Sequence, residues 1–290
     1  MGTGVYSTLG VDTATTLPTA LTVAAAAKSA YVQLAASTPF TSARVIVRIS
    51  SSMAFAGLEI AGLYDLAIGA QDSEVVIIPD MLFCANAAND VQSVYDFPLT
   101  IVSGSRIAIR GGAGTSTLVY ISVQILAPDS IAGCPTSGAV TVYGAVEAPG
   151  TGINSFHGTQ VDPGTTAHTK GVWSQLTAST TSPHDWITLA VARSINDGAD
   201  DYGRWFVDIG TGADGSETVV AADLPFDQAC AGTFVAGGPI IWSPTGPLPL
   251  TIPVGTRVSV RAQSNLTTEV GFPSSALLRK FDAVIHGVNP

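Results

Sequence analysis

The chain reads as one sequence written twice. Pro98-Leu-Thr-Ile-Val-Ser-Gly104-Ser-Arg106-Ile-Ala-Ile-Arg110 realigns on Pro249-Leu-Thr-Ile-Pro-Val-Gly255-Thr-Arg257-Val-Ser-Val-Arg261, with identity at the Pro, Leu, Thr, Ile, Gly and both Arg positions. Asp65-Leu-Ala-Ile-Gly69 with Ser73-Glu74 and Asp80 matches Asp208-Ile-Gly-Thr-Gly212 with Ser216-Glu217 and Asp223. Lys28, Gln33-Leu34 and Ser37-Thr38 recur as Lys170, Gln175-Leu176 and Ser179-Thr180, and Val11-Asp12 with Thr15-Thr16 reads as Val161-Asp162 with Thr165-Thr166. The offset is 151 residues at Pro98/Pro249 and 142 at Lys28/Lys170, so loops vary while the blocks keep their order. A repeat of this size constrains the fold before any residue-level reading, because each copy must form the same unit. The expected division is 1–127 for the first repeat, 128–150 for a linker and 151–290 for the second. The linker assignment follows the Pro, Gly and Ser of Ala127 to Gly138 and of Glu147 to Gly152. Ala139 to Val146 alternates like a short strand that pairs with one repeat or the other.

Within each copy the apolar residues come in short β-branched runs. Arg44 to Ser50, Glu74 to Ile78, Arg106 to Arg110 and Leu118 to Leu126 read as strands in the first copy. Trp186 to Arg193, Arg204 to Ile209, Arg257 to Arg261 and Phe281 to His286 are their counterparts in the second. Helical periodicity is nearly absent, and Leu17 to Gln33, despite its alanines, is read as strand. Several short strands per unit, punctuated by 30 glycines and 17 prolines, predict an all-β protein of two tandem, homologous β-sandwich domains of jelly-roll type. A length of 290 residues gives each its own core.

Composition narrows the function. Charged residues are 12% of the chain against 46% in the AVILMFWYC set, which excludes disorder and leaves apolar surface for contacts between subunits. The net charge is −10, with lysines only at 28, 170 and 280 and the arginines spread singly, so nucleic-acid binding is not expected. Cys84, Cys134 and Cys230 have no metal-binding or disulfide spacing and read as buried small hydrophobes. The N-terminus lacks the basic segment of a secretion signal, and no apolar stretch is long enough to cross a membrane as a helix.

The chemistry-bearing motifs are few. Gly210-Thr-Gly212-Ala-Asp-Gly215 has dinucleotide-loop spacing but runs into the β-like Ser-Glu-Thr-Val-Val, where that loop needs a helix. Asp208, Asp214 and Glu217 around the same loop are the candidates for a calcium site, as oxygen-rich clusters suit that ion; the acidic Asn196 to Asp201 loop is a second. His157, His168, His184 and His286 have no zinc spacing, and no GxSxG marks a serine nucleophile. Trp173, Trp186, Trp205 and Trp242 all fall in the second copy; a large aromatic is more often a core residue, and Trp173, Trp205 and Trp242 are the candidates for contact with a glycan. No cofactor is expected.

The repeated Asp-x-x-x-Gly…Ser-Glu…Asp and Pro-Leu-Thr-Ile-x-x-Gly-x-Arg blocks, in a Thr, Ala, Val and Gly-rich, lysine-poor chain, resemble those of tailed-bacteriophage virion proteins. The resemblance implies a non-enzymatic structural component of the virion, a capsid-decoration, fibre or tail protein. It would be assembled in the host cytoplasm and would act through copies of itself and other virion proteins. Two alternatives stay beside it: a module recognising host surface glycan through the second repeat, and a glycan-cleaving enzyme with two carboxylates facing across a groove.

Overall fold

The computed structural model describes residues 5–11, 17–51, 60–85, 92–114, 117–128, 139–148, 155–192, 202–229, 247–265 and 280–289. The fold is all-β. The first half carries β1 (Tyr6–Leu9), β2 (Thr19–Ala25), β3 (Val32–Ala35), β4 (Arg44–Ser51), β5 (Ile60–Ile68), β6 (Val75–Ala85), β7 (Gln92–Phe97), β8 (Ile107–Ala113) and β9 (Thr117–Leu126). The second carries β10 (Val140–Tyr143), β11 (Val146–Glu147), β12 (Phe156–His157), β13 (Thr159–Val161), β14 (Ser174–Thr177), β15 (His184–Ala192), β16 (Tyr202–Thr211), β17 (Thr218–Ala229), β18 (Leu248–Ile252), β19 (Val258–Ser264) and β20 (Phe281–Val288). Each of the eight runs read as strands from the sequence lies on a strand within a residue at its ends, apart from Arg193, which lies outside the described residues. Leu17 to Gln33 is interrupted: β2 stops at Ala25, and Ala26 turns the chain with φ of 66° before β3 begins.

In the second half the described strands make three antiparallel sheets, β10-β20-β15-β18 with β13 also on β20, β14-β19-β16-β17, and the two-stranded β11-β12. The first half has the same pairings, β3-β8-β5-β6 and β9-β4-β7 with β1 on β9. There β2 pairs with β9 and also touches β8 in parallel at Ala24 and Ala25, which joins the two into one nine-stranded path.

Strand register revises the expected start of the second repeat. Gly10, at φ +71°, is crowded by the Ile121 carbonyl, Leu34 and Thr19; Gly144, at φ +87°, is crowded by the Ala283 carbonyl, Leu176 and Thr159. Both sit where a side chain would clash and where the backbone favours glycine. Val140–Tyr143 pairs with β20 at 285–288 as Tyr6–Leu9 pairs with β9 at 123–126. The short strand expected near 139–146 is therefore the second repeat's counterpart of β1, and β10 (Val140–Tyr143) and β11 (Val146–Glu147) are strands within the region read as linker. Val161 pairs with Phe281, whereas the first-half strand in that place is β2 at Thr19 to Val23, so the Val11/Val161 alignment is not the structural register. Asp12 and Thr15-Thr16 lie outside the described residues.

The two halves share a core. β9 alternates as a half-covered strand should, with Val119, Ile121, Val123 and Ile125 buried and Tyr120, Ser122 and Gln124 partly open. β20, in the equivalent place, is buried at all eight positions. Phe281, Ala283 and Ile285 point into the second half's own core, while Val284 and Val288, with Ala190, Ala192, Val140 and Phe156, join the core of the first half. A strand buried on both faces carries apolar residues on both rather than at alternate positions, and β20 does so with Phe281, Ala283, Val284, Ile285 and Val288, broken by the buried polar Asp282 and His286.

Candidate functional site

The charged residues that recur in the two copies converge on one construction, made twice. In the first half Lys28 reaches over β5 and β6 and donates to Asp65 Oδ1 at 2.7 Å and Asp80 Oδ1 at 2.5 Å. Arg110 donates to the other oxygen, Asp65 Oδ2, at 2.8 Å, and the Asp80 amide donates to Asp65 Oδ1 at 3.0 Å. In the second half Lys170 donates to Asp208 Oδ1 at 2.6 Å and pairs with Asp223 at 2.8 Å, Arg261 donates to Asp208 Oδ2 at 3.0 Å, and the Asp223 amide donates to Asp208 Oδ1 at 3.0 Å. Asp80 and Asp223 both take a left-handed φ, 50° and 52°, which turns each carboxylate toward its lysine at a bulge of the β-ladder. Each arginine also lies over an aromatic ring, Arg110 on Tyr31 at 4.8 Å and Arg261 on Trp173 at 4.5 Å.

A second duplicated contact ties the turns. Arg106 donates to Gln33, the Gly69 carbonyl and Glu74; Arg257 donates to Gln175, the Gly212 carbonyl and Glu217. The alternating arginines of the Pro-Leu-Thr-Ile block are thus the cations of two internal ion networks.

The two locks differ in what covers them. Lys28 also pairs with Glu147, whose strand β11 comes from the second half, and Asp80 lies under that strand. Lys170 has no such third carboxylate among the described residues, and the Asp223 side chain is 63% exposed. The electrostatics follow. At Lys28 burial works to lower the pKa, but the hydrogen bonds and charge of Asp65, with Asp80 and Glu147, overcome it and hold the ammonium at about 12. Burial pushes the Asp80 carboxyl up to about 6. At Glu147 burial acts in the same upward direction, but hydrogen bonds from Lys28 and Asp80 more than offset it and leave the carboxyl below its usual value. One proton is therefore drawn to the Asp80 side of this carboxyl pair. At Asp208 the upward push of burial is outweighed by the Asp223 amide, Lys170 and Arg261, so its pKa is lowered.

Next to the first lock is the joint between the halves. His286 on β20 is fully buried, stacked edge-on against Tyr95 and Phe97, and its Nε2 donates to the Pro79 carbonyl at 3.0 Å. Burial drops its pKa to about 4, so the ring is neutral. Phe156 fills the space left by Gly112, where a Cβ would lie 2.5 Å from the ring. His184 is buried in the second half with Nε2 at 2.9 Å from the Tyr143 hydroxyl, and burial lowers its pKa also.

The sequence-derived candidates divide accordingly. Asp208 belongs to the second lock, 4% exposed and bonded to two cations, while Asp214 and Glu217 both pair with Arg257. The three carboxylates do not form one oxygen cluster; no group of His, Cys, Asp or Glu among the described residues has metal-site geometry. Trp205 is a core residue, buried against Phe281. Trp173 is half-buried, packed on Gly210 and beneath Arg261. Trp242, Cys134, Cys230 and the 196–201 loop lie outside the described residues. Sequence reasoning missed Lys28, Asp80, Lys170 and Asp223 as partners. The signal was present, since two of only three lysines stand at equivalent positions of the repeat.

Neither a protein-family model nor a curated protein matches the sequence. Among solved structures the chain is similar to PNGF-II at 9% identity, with a TM-score of 0.39, over 98% of this chain and 66% of that one. It thus spans just under two thirds of PNGF-II. It is similar to PNGase F, a glycosylasparaginase from Flavobacterium meningosepticum, at 10% identity and a TM-score of 0.33, over 99% and 96% of the two chains. A truncated AlyQ with CBM32 and alginate lyase domains gives 8% identity and a TM-score of 0.26, over 99% and 100%. Likeness at this level carries nothing about activity from those proteins to this chain.

Proposed function

We propose that this chain is a non-enzymatic structural protein that acts through protein–protein assembly, as a component of a tailed-phage virion. The observation that supports it is the duplicated lock. The polar residues repeated in both copies, Lys28/Lys170, Asp65/Asp208, Arg110/Arg261 and Arg106/Arg257, are each bonded within the fold, where they hold strands and turns together. A repeat that keeps its charges for internal bracing, and otherwise presents few charges, suits a rigid building block. The virion setting comes from the sequence blocks and composition.

The test is a screen of the purified protein against bacterial surface polysaccharides, reading both retention on a glycan array and release of reducing ends. The expected result is neither binding nor cleavage. Retention that is lost on Trp173→Ala would replace this reading with the receptor-binding one, and released fragments would replace it with the glycan-cleaving one.

A further inference from the structure

We propose that the joint between the two halves is repeated between chains: the outer face of the first half's β1-β9-β4 sheet docks on the β16–β17 face of a second copy. This rests on the assembly reading and specifies its surfaces. Inside the chain the joint is head-to-tail. The outer face of β10, β20 and β15 lies on β6, and the two sides of the contact are different surfaces. A head-to-tail joint leaves one surface of each kind, here on opposite repeats, that no element among the described residues covers, and a contact of that type can propagate through further copies.

The unused surfaces are identified by register. Because Ile121 and Ala283 play the same part against Gly10 and Gly144, the β20 residues Val284, His286 and Val288 correspond to Ser122, Gln124 and Leu126 on β9. Ala190 opposite Val284 corresponds to Arg48 opposite Ser122, and Val140 corresponds to Tyr6. On the receiving side Pro79 and Asp80 correspond to Ala222 and Asp223, since the amides of Asp80 and Asp223 make the same bond to Asp65 and Asp208.

The chemistry of the unused pair is complementary. Where His286 donates to the Pro79 carbonyl, Gln124 carries a side-chain amide donor for the Ala222 carbonyl; its present acceptor, Thr8 Oγ1, is distant at 3.5 Å. Arg48 places a guanidinium on the docking face, with its Nε buried and without a hydrogen-bond partner, and Asp223 places an exposed carboxylate on the receiving face. Tyr6, in the place of the buried Val140, is 69% exposed and supplies an aromatic anchor of the kind enriched in interfaces. The internal joint is mainly apolar, with the His286 bond to Pro79 and the Lys28–Glu147 pair as its polar contacts, as suits surfaces that never separate. The external pair is polar, as suits surfaces that each meet water before docking.

The experiment is a sedimentation-velocity series on the full chain over a wide concentration range, with Arg48→Glu and Asp223→Arg prepared separately. Wild type is expected to grow beyond 29.6 kDa with concentration. Each variant alone, now presenting like charges across the contact, stays monomeric, and an equimolar mixture regains assembly because each pairing in it is again Arg against Asp or Glu. Ala222→Trp, which blocks the face without touching the Lys170 lock, also stays monomeric, and a circular-dichroism melt confirms that every variant is folded. Assembly unchanged in all three variants, or no restoration on mixing, overturns the surfaces proposed here and leaves the glycan assay to judge the structural reading. A wild type that is monomeric throughout overturns the inference in the same way.

Discussion

The first and second locks are built from the same residue types in the same pairings, yet one is closed and the other open. Around Lys28 the second half adds Glu147 beside Asp80; around Lys170 no third carboxylate stands among the described residues, and Asp223 is exposed. The flanking sequence records the difference. β6 reads Val-Val-Ile-Ile-Pro-Asp-Met-Leu-Phe and is buried around the lock, whereas β17 reads Thr-Val-Val-Ala-Ala-Asp-Leu-Pro-Phe, with smaller residues and Ala222 and Pro225 exposed. Ion pairing is thus the conserved frame of the repeat, and the apolar content of the strand over it tells which copy is covered.

The largest expected effect tests whether coverage matters. Asp65→Ala leaves Lys28 and Arg110 facing each other in the sealed site and should cost roughly 3–5 kcal/mol in urea unfolding, the range for breaking a buried pair. Asp208→Ala, with water reaching the lock past Asp223, should cost about 2 kcal/mol. Equal losses would show that the second half does not change the environment of the first lock.

The joint gives the next effect, read through pH. His286 has a folded pKa of about 4 against about 6.5 in the unfolded chain, so between those values the unfolded state binds the proton. Its contribution is complete above pH 6.5 and falls by about 3 kcal/mol as pH drops to 4. Asp80 works the other way. Its folded pKa is raised to about 6, so the native state gains protons below that pH, while the lowered value at Glu147 opposes Asp80. The difference between wild type and His286→Gln isolates the histidine: it should shrink steadily from pH 7 to pH 4, and a constant difference would contradict a neutral, buried ring.

Smaller still, Gly112→Ala should cost roughly 1–3 kcal/mol by driving a methyl into the Phe156 ring, while Gln263→Ala, at the matching position after Arg261, should stay within about 0.5 kcal/mol. At the bottom of the scale, Asp214→Ala should be nearly silent, because its exposed bond to Arg257 is one of several that this arginine makes. Addition or chelation of calcium should leave the melting midpoint in place; a rise with calcium would restore a metal role to that loop.

Much of the strand content was legible because β-branched runs and glycine turns act locally. Gly104 and Gly255 take φ of +85° and +79° in matching turns, and the blocks around them realign by eye. The entry strand of the second repeat was not legible. Val140-Thr-Val-Tyr shares almost nothing with Tyr6-Ser-Thr-Leu, because one face of β10 is buried against the first half and the matching face of β1 is open to water. The locks were half-visible: their residues stood in the aligned blocks, but which carboxylate meets which cation is decided by bulges and long-range pairing. Trp205 shows the same limit, since a tryptophan in a strand reads alike whether it faces a sugar or Phe281.

β20 also sets an order of events during synthesis. Its His286 meets Pro79 across 207 positions of sequence, and its two faces complete two different cores. Until those eight residues are made, neither core has its full set of strands, and afterwards both halves close on the same segment together with β10 and β15. Completion of the pair therefore needs a non-local pairing, the kind of contact that makes β-proteins slow to fold.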